Sequence, residues 1–330
     1  METLFVFIPC HIDFAAAILQ AKKLRDQHTI LLQKYFKLEI EISVNSYEPT
    51  AEELYIAKLL ADEVTLFGLH LLYDANISQG FLKALLRKPT FFWLLSTNDE
   101  IKDTALTTIW DCFNKNEDTD FIATNSMHIT KNFAVTDFLH RNHFEFCWGL
   151  ISGVIYRFSL FKDDFNAAPF TSWTGWEHLS VLQSSLNRNK ALQCCTIPSE
   201  LLYSQIERSL GENREIYAHG FYGMICLLFI SSQNNLESKK MLRRFMSNNF
   251  FKFRFFHRTN IEVGPLINNK NYLQWNERVA TSLILSSGII NYLLFKTICQ
   301  FPFYLLADNR VSNWIKGHLD TRFYKKTDAF

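Results

Sequence analysis

The sequence predicts an α/β fold: a mostly parallel β-sheet flanked by helices, followed by a mostly helical C-terminal extension. Two apolar runs rich in β-formers carry the first part of that reading. Leu4 to Ile8 and Phe91 to Leu95 contain no polar residue, as expected of strands covered on both faces. Strand patterns then alternate with helix patterns over the first ~130 residues, the signature of crossover connections between parallel strands. With 48% hydrophobic and 20% charged residues in a chain of 330, disordered, collagen-like and coiled-coil classes are excluded.

Each element follows from local chemistry. The first strand closes at Pro9. Asp13 stands before Phe14 to Leu24 as an N-cap, and Lys22 and Lys23 suit the negative end of that helix. Leu38 to Val44 alternates apolar and polar residues, predicting a second strand that ends at Asn45 and Ser46. Thr50 and Glu53 have capping-box spacing for a helix running to about Ala61. Val64 to Phe67 fits a short third strand, and Ile77 to Leu86 a helix. After the strand Phe91 to Leu95 comes the polar cluster Ser96 to Glu100, then a helix through Cys112 and a strand over Asp120 to Thr124. Residues 145–157 are apolar with a small-residue centre. Thr171 to His178 reads as an aromatic, polar loop entering a helix over Leu179 to Leu186. From about Ile206 the pattern is mostly helical, which sets a soft boundary and predicts two regions, 1–200 and 201–330. Ligands of such sheets sit at the carboxyl ends of strands, so the polar clusters after Ile8, Val44 and Leu95 mark the expected site.

The net charge of +1 comes from 34 Lys+Arg and 33 Asp+Glu and argues against an overall basic nucleic-acid binder. It is an average of unlike parts. Residues 201–330 hold 17 Lys+Arg and 9 Asp+Glu, giving +8 and leaving −7 for residues 1–200. The basic part is expected to face an anionic partner. The seven Cys lack a framework spacing and are expected to be buried free thiols of a reducing compartment. The N-terminus predicts no signal peptide. The 31 Phe stand out; biased codon usage or a surface that meets something greasy would each produce them.

The sequence has no Gly-x-Gly-x-x-Gly, P-loop, Gly-x-Ser-x-Gly, His-Glu-x-x-His or zinc-spaced Cys/His pattern. What remains is acids at element ends. Asp99, beside Glu100, follows a buried strand, where a carboxylate can hold Mg²⁺ or Mn²⁺ together with substrate phosphates; capping the next helix is the plainer role. Glu177 heads a helix between aromatic neighbours, Trp173 and Trp176, and reads either as a general base beside a sugar ring or as a first-turn acid favoured by the helix dipole. His178 reads first as a structural histidine.

The order of these features resembles the GT-A glycosyltransferases of the family 2 type, especially bacterial enzymes that build surface polysaccharides. Phe5-Val-Phe-Ile-Pro-Cys-His11 looks like the opening strand, and Ile42-Ser-Val-Asn-Ser46 like the strand whose end meets the nucleotide base, with Asn45 where the family usually has Asp. Asn76-Ile-Ser-Gln-Gly80 followed by Phe91 to Asp99 looks like the helix and strand leading to the metal. Trp148 to Arg157 looks like the acceptor-side strand, and Gly175-Trp-Glu-His178 like the helix start with the catalytic acid residue. The resemblance spans about residues 3–190. It implies Glu177 as base, Asp99 as metal ligand, Pro9, His11, Asn45, Asn76 and Asn98 on the donor side, and Trp148, Arg157, Trp176 and His178 on the acceptor side. It implies a nucleotide-sugar donor and a glycan or lipid-linked glycan acceptor such as O-antigen or capsule, with inversion expected and retention an open alternative. It also implies a divalent cation, Mn²⁺ or Mg²⁺, although Thr97 stands where the family's metal motif has its first Asp. A relative that binds glycan or nucleotide without turnover is the competing class.

In the C-terminal third, Ser238 to Arg258 carries seven Lys/Arg, no acid and six Phe. Such a segment suits an anionic membrane surface or the solvated face of a core helix; nucleic acid is not expected. Val279 to Phe295 is 17 uncharged residues, read as a buried or interfacial helix rather than a span. The expected location is the cytoplasm, peripheral at the inner face of the cytoplasmic membrane.

Overall fold

The computed structural model describes residues 1–10, 13–32, 35–45, 47–67, 73–97, 99–115, 118–125, 132–134, 151–171, 177–188 and 192–203. The chain divides into two units, Met1–Arg208 and Ser209–Phe330. All described residues belong to the first; the expected helical extension, the basic segment 238–258 and the apolar segment 279–295 lie outside them.

The elements in order are β1 (Glu2–Cys10), α1 (Phe14–Gln27), β2 (Phe36–Asn45), α2 (Ala51–Leu60), β3 (Glu63–Phe67), α3 (Tyr73–Arg87), β4 (Phe91–Leu94), α4 (Ala105–Lys115), β5 (Phe121–Asn125), β6 (Asn132–Ala134), β7 (Val154–Arg157), α5 (Phe158–Phe161), α6 (Ala167–Thr171), α7 (Glu177–Arg188), β8 (Gln193–Pro198) and α8 (Ser199–Leu202). The eight strands form one sheet in the order β3-β2-β1-β4-β7-β5-β8-β6. Strands β3, β2, β1 and β4 are mutually parallel, as are β5 and β8. Strand β7 enters between β4 and β5 and runs antiparallel to both. The expected mostly parallel sheet with flanking helices is what forms.

Both cap signals act as read. Ala16 N–H donates to Asp13 Oδ1 at 3.0 Å, and Thr50 and Glu53 form a reciprocal capping box. Strand β1 is buried on both faces because each face has its own helices. Leu4, Val6 and Ile8 pack with Ala17, Ala21 and Leu24 of α1 and Leu106 and Ile109 of α4. The other face is an aromatic layer. Phe92 lies 5.7 Å from Phe5, 5.3 Å from Phe81 and 5.5 Å from Phe165 by ring centroids, and Tyr156 lies 5.2 Å from Phe161. Stacked and edge-to-face pairs of this kind add about 0.5–1.5 kcal/mol each beyond area burial. The phenylalanines whose burial is described therefore mostly fill a core: Phe5, Phe7, Phe81, Phe92, Phe121, Phe161 and Phe165 have no exposure, and Phe170 is exposed.

The helix α3 docks on this layer through Gly80, where an added Cβ would stand 2.7 Å from Phe7 Cδ1 and 2.8 Å from Leu94 Cδ2. At its far end α3 joins an ion cluster. Fully buried Glu41 receives Lys83 Nζ at 2.9 Å, Arg87 Nη2 at 3.0 Å and the Thr65 hydroxyl at 3.0 Å. The two cations also reach Glu63, each at 2.6 Å. The expectation of seven free thiols is corrected: Cys112 of α4 and Cys195 of β8 are paired, because both side chains enter the layer between α4 and the sheet, while Cys10 is free and buried and Cys194 is buried.

Candidate functional site

The carboxyl ends of β1, β2 and β4 meet along one edge of the sheet, and the connection from β4 to α4 crosses that edge. Pro9 is the penultimate residue of β1. A central strand tolerates proline poorly, because its missing N–H leaves a gap in the ladder. Here β4 has already left: its last bond to β1 runs from Leu95 N–H to the Phe7 carbonyl at 2.9 Å, so Pro9 faces no partner strand on that side. Asn45 ends β2 and is fully buried.

Asn76, in the second turn of α3, ties these strand ends together. Its Nδ2 donates to the Ser43 carbonyl at 3.0 Å and to the Cys10 carbonyl at 3.3 Å. Its Oδ1 accepts the Ser43 hydroxyl at 2.5 Å. The sequence places Asn76 on the donor side; the structure gives its amide a bracing position that sets the spacing of the β1 and β2 ends. Burial, with Asp13 adding to it, pushes the neighbouring Cys10 thiol up to about 12.

The segment Ser96 to Ile101 is held from two sides. On one side, the buried face of α1 presents Gln20 and Gln27 among Ala17, Ala21 and Leu24. Gln20 Nε2 donates to the Asp99 carbonyl, and Gln20 Oε1 accepts from Ile101 N–H at 3.3 Å. Gln27 continues the seam, donating to the Lys102 carbonyl at 2.9 Å and accepting from Leu106 N–H at 2.9 Å. Lys23 takes the Glu100 carboxylate at 2.6 Å. On the other side, the Ser152 hydroxyl donates to Asp99 Oδ2 at 2.6 Å. The two adjacent acids are thus turned apart, Glu100 to α1 and Asp99 to the start of β7. The capping alternative for Asp99 is corrected, since the following helix begins only at Ala105.

Glu177 is the first residue of α7, with its side chain fully buried, at a helix end whose dipole favours an anion. His178 is also buried, and its carbonyl accepts the Tyr156 hydroxyl of β7 at 2.9 Å. Burial pushes the Tyr156 phenol well up and keeps it a donor. Strand β7 therefore touches both acid-bearing segments, through Ser152 just before it and through Tyr156 within it.

Arg157 is not brought to this edge. It pairs with Phe91, the first residue of β4, so it lies at the amino end of the parallel strands. There Nε donates to the Thr119 carbonyl at 2.9 Å, and the guanidinium lies 5.1 Å from the centre of the Phe91 ring. The acceptor-side expectation for Arg157 is corrected on that ground: an antiparallel strand that begins at the site edge ends at the opposite one. His11, Asn98, Trp148 and Trp176 lie outside the described residues. Ser152, Gln20 and Tyr156 are site-holding residues that sequence reasoning missed; Gln20 and Gln27 on the apolar stripe of α1 were a usable signal.

Among the described residues no group of three or more His, Cys, Asp or Glu is placed to hold a metal ion. A Mg²⁺ or Mn²⁺ site built from a single carboxylate and the oxygens of a bound diphosphate needs no such group, and Asp99, partly exposed beside Thr97, fits that donor set. No described helix is long and apolar enough to cross a membrane.

No family model and no curated protein matches the chain. Solved structures do. S. aureus TarS 1-349 in complex with UDP superposes with a TM-score of 0.53 at 15% identity, over 94% of this chain and 93% of that one. The same protein in complex with UDP-GlcNAc gives 0.54 at 13% identity over the same shares. At such identities the likeness speaks for the fold: the chain is built on the GT-A-like plan, a mostly parallel sheet whose carboxyl edge carries Asn45, Asn76 and Asp99.

Proposed function

We propose that the protein is a glycosyltransferase that moves a sugar from a nucleotide-sugar donor to a hydroxyl group of a glycan. The observation that carries the reading is the Asp99 carboxylate, fixed at the carboxyl edge of a fold that spans 94% of this chain in structures holding UDP and UDP-GlcNAc. The donor's nucleotide would lie across the ends of β1 and β2 at Pro9 and Asn45, with His11 and Asn98 beside it. Asp99 would face the diphosphate. Asp99 would hold a divalent cation there, whose chemistry would be neutralisation of charge on the leaving group. Glu177 would take the proton of the acceptor hydroxyl as its oxygen bonds to the anomeric carbon. The bond from that carbon to the phosphate oxygen breaks, and the nucleoside diphosphate leaves with the electron pair. One in-line displacement inverts the anomeric centre. Trp148, Trp176 and His178 would place the acceptor.

The basic C-terminal third supports a reading of the acceptor class. A lipid-linked, growing cell-surface polysaccharide such as O-antigen or capsule would bring the enzyme to the inner face of the cytoplasmic membrane. The seven cationic residues of Ser238 to Arg258 would then meet anionic lipid, at about 1 kcal/mol each. The second reading, a binding module without turnover, is favoured by Thr97 at the position of the missing acid.

The test is a panel of UDP- and GDP-sugars with Mn²⁺ and glycan acceptors, measuring free nucleotide. Turnover that collapses in Asp99→Ala and in Glu177→Gln supports the assignment; either variant working at the wild-type rate overturns it. Saturable binding with no turnover for any pair supports the module. Flotation with anionic liposomes, weakening with salt, tests the membrane contact.

A further inference from the structure

Ser152 lies in the 3₁₀ turn Ile151–Gly153 that leads into β7, and none of it is exposed. Four residues distant from it in sequence converge on it. Its hydroxyl donates to Asp99 Oδ2 at 2.6 Å and accepts from Ser96 N–H at 2.8 Å. Its carbonyl accepts from Trp93 Nε1 at 2.9 Å and from the Tyr203 hydroxyl at 2.6 Å. Trp93 and Tyr203 are themselves buried, so neither donor can exchange its bond for one to water. With Ser96 N–H donating to the Ser152 oxygen, the hydroxyl proton goes to Asp99 Oδ2.

A carboxylate on its own turns freely about its last torsion, which is broad for aspartate. A short bond to one oxygen stops that rotation and fixes where the other oxygen points. We propose that Ser152 is the positioning residue of Asp99: it orients the carboxylate toward the diphosphate and cation of the donor. The proposal rests on the reading of Asp99 as the donor-side acid. It adds a fully buried residue 53 positions away, whose hydroxyl is bonded to Ser96 and Asp99. Gln20 holds the backbone of the same turn at Asp99 and Ile101, while Ser152 holds it at Ser96 and, in addition, bonds the Asp99 carboxylate.

The experiment compares wild type, Ser152→Ala, Ser152→Thr, Asp99→Ala and the Ser152→Ala/Asp99→Ala double variant. Two readouts are used: binding of UDP and GDP with and without Mn²⁺ by calorimetry, and a crystal structure of Ser152→Ala. Partners that orient a metal-binding carboxylate typically contribute about 10- to 100-fold to affinity. Ser152→Ala is expected to weaken Mn²⁺-dependent nucleotide binding by that factor, and Ser152→Thr, which keeps the hydroxyl, to recover most of it. In the Asp99→Ala background the serine change should cost nothing further. Wild-type affinity in Ser152→Ala overturns the proposal, and so does an equal loss with and without Asp99, which would report general packing. The crystal structure decides independently of ligand. A rotated Asp99 carboxylate supports the role, and an unmoved one overturns it. If wild type binds no nucleotide, the glycosyltransferase reading falls, while the carboxylate position in the variant still decides the role of Ser152.

Discussion

Replacing Gly80 with alanine sets two known effects against each other. In a helix interior the change ordinarily stabilises by about 0.5–1 kcal/mol, because alanine has less freedom to lose. At Gly80 the new methyl would stand 2.7 Å from Phe7 Cδ1, 2.8 Å from Leu94 Cδ2 and 3.0 Å from Phe7 Cγ. Leu94 Cδ2 ends a flexible side chain and can turn. The Phe7 ring cannot: it has no exposure and lies against Phe5, with centroids 6.4 Å apart. Overpacking of a filled core costs about 1–3 kcal/mol. The clash should win, leaving a net loss of about 1–2 kcal/mol, or roughly 3–6 °C in Tm for a unit of this size. Thermal unfolding followed by circular dichroism reads it. Because Asn76 sits one turn earlier on the same helix, hydrogen exchange at the ends of β1 and β2 should rise as well. An unchanged or higher Tm for Gly80→Ala would refute the argument that α3 is seated by the absence of a side chain.

Further outcomes follow from the same contacts. Asn76→Ala removes three hydrogen bonds and should cost about 2–4 kcal/mol by denaturant midpoint, with a loss below about 0.5 kcal/mol refuting the latch. The hydrogen bond from Lys83 holds the Glu63 carboxyl below its ordinary value, so the stability it contributes is complete above the usual glutamate range and fades as pH falls through the lowered value. Urea midpoints of Lys83→Met should therefore lie below wild type at neutral pH, and the gap should narrow on acidification; a gap independent of pH would count against the pair. With its thiol at about 12, native Cys10 should resist iodoacetamide at pH ~8 and react once the chain is unfolded, as peptide mass spectrometry would show.

What the sequence revealed and what it hid have physical causes. β1 and β4 were legible because each is covered on both faces, which removes polar residues and leaves an unbroken apolar run. The caps at Asp13 and Thr50 were legible because a cap is a bond between near neighbours. The direction of β7 was not: its few residues were recognisable as a strand, yet nothing local says which way a strand runs in a sheet. That is why Arg157 was expected at the site and lies at the far edge. Ser152 was invisible for a related reason, since a serine 53 residues from its aspartate leaves no pattern in either segment. The phenylalanine count pointed outward, whereas in this unit the rings stack inward between the sheet and α3, a distinction that composition cannot make.

The late arrival of β7 shapes how this protein must come into being. As the chain leaves the ribosome, β1 through β4 can assemble from local crossovers, but β4 then faces water with an open edge until Val154 to Arg157 has been made. Strand β5 waits beside the same gap. Exposed edges of this kind invite pairing with other chains. Insertion of β7 also carries Ser152 to Asp99, so a nascent chain stopped before residue 150 would lack both the strand that joins β4 to β5 and the bond between Ser152 and Asp99.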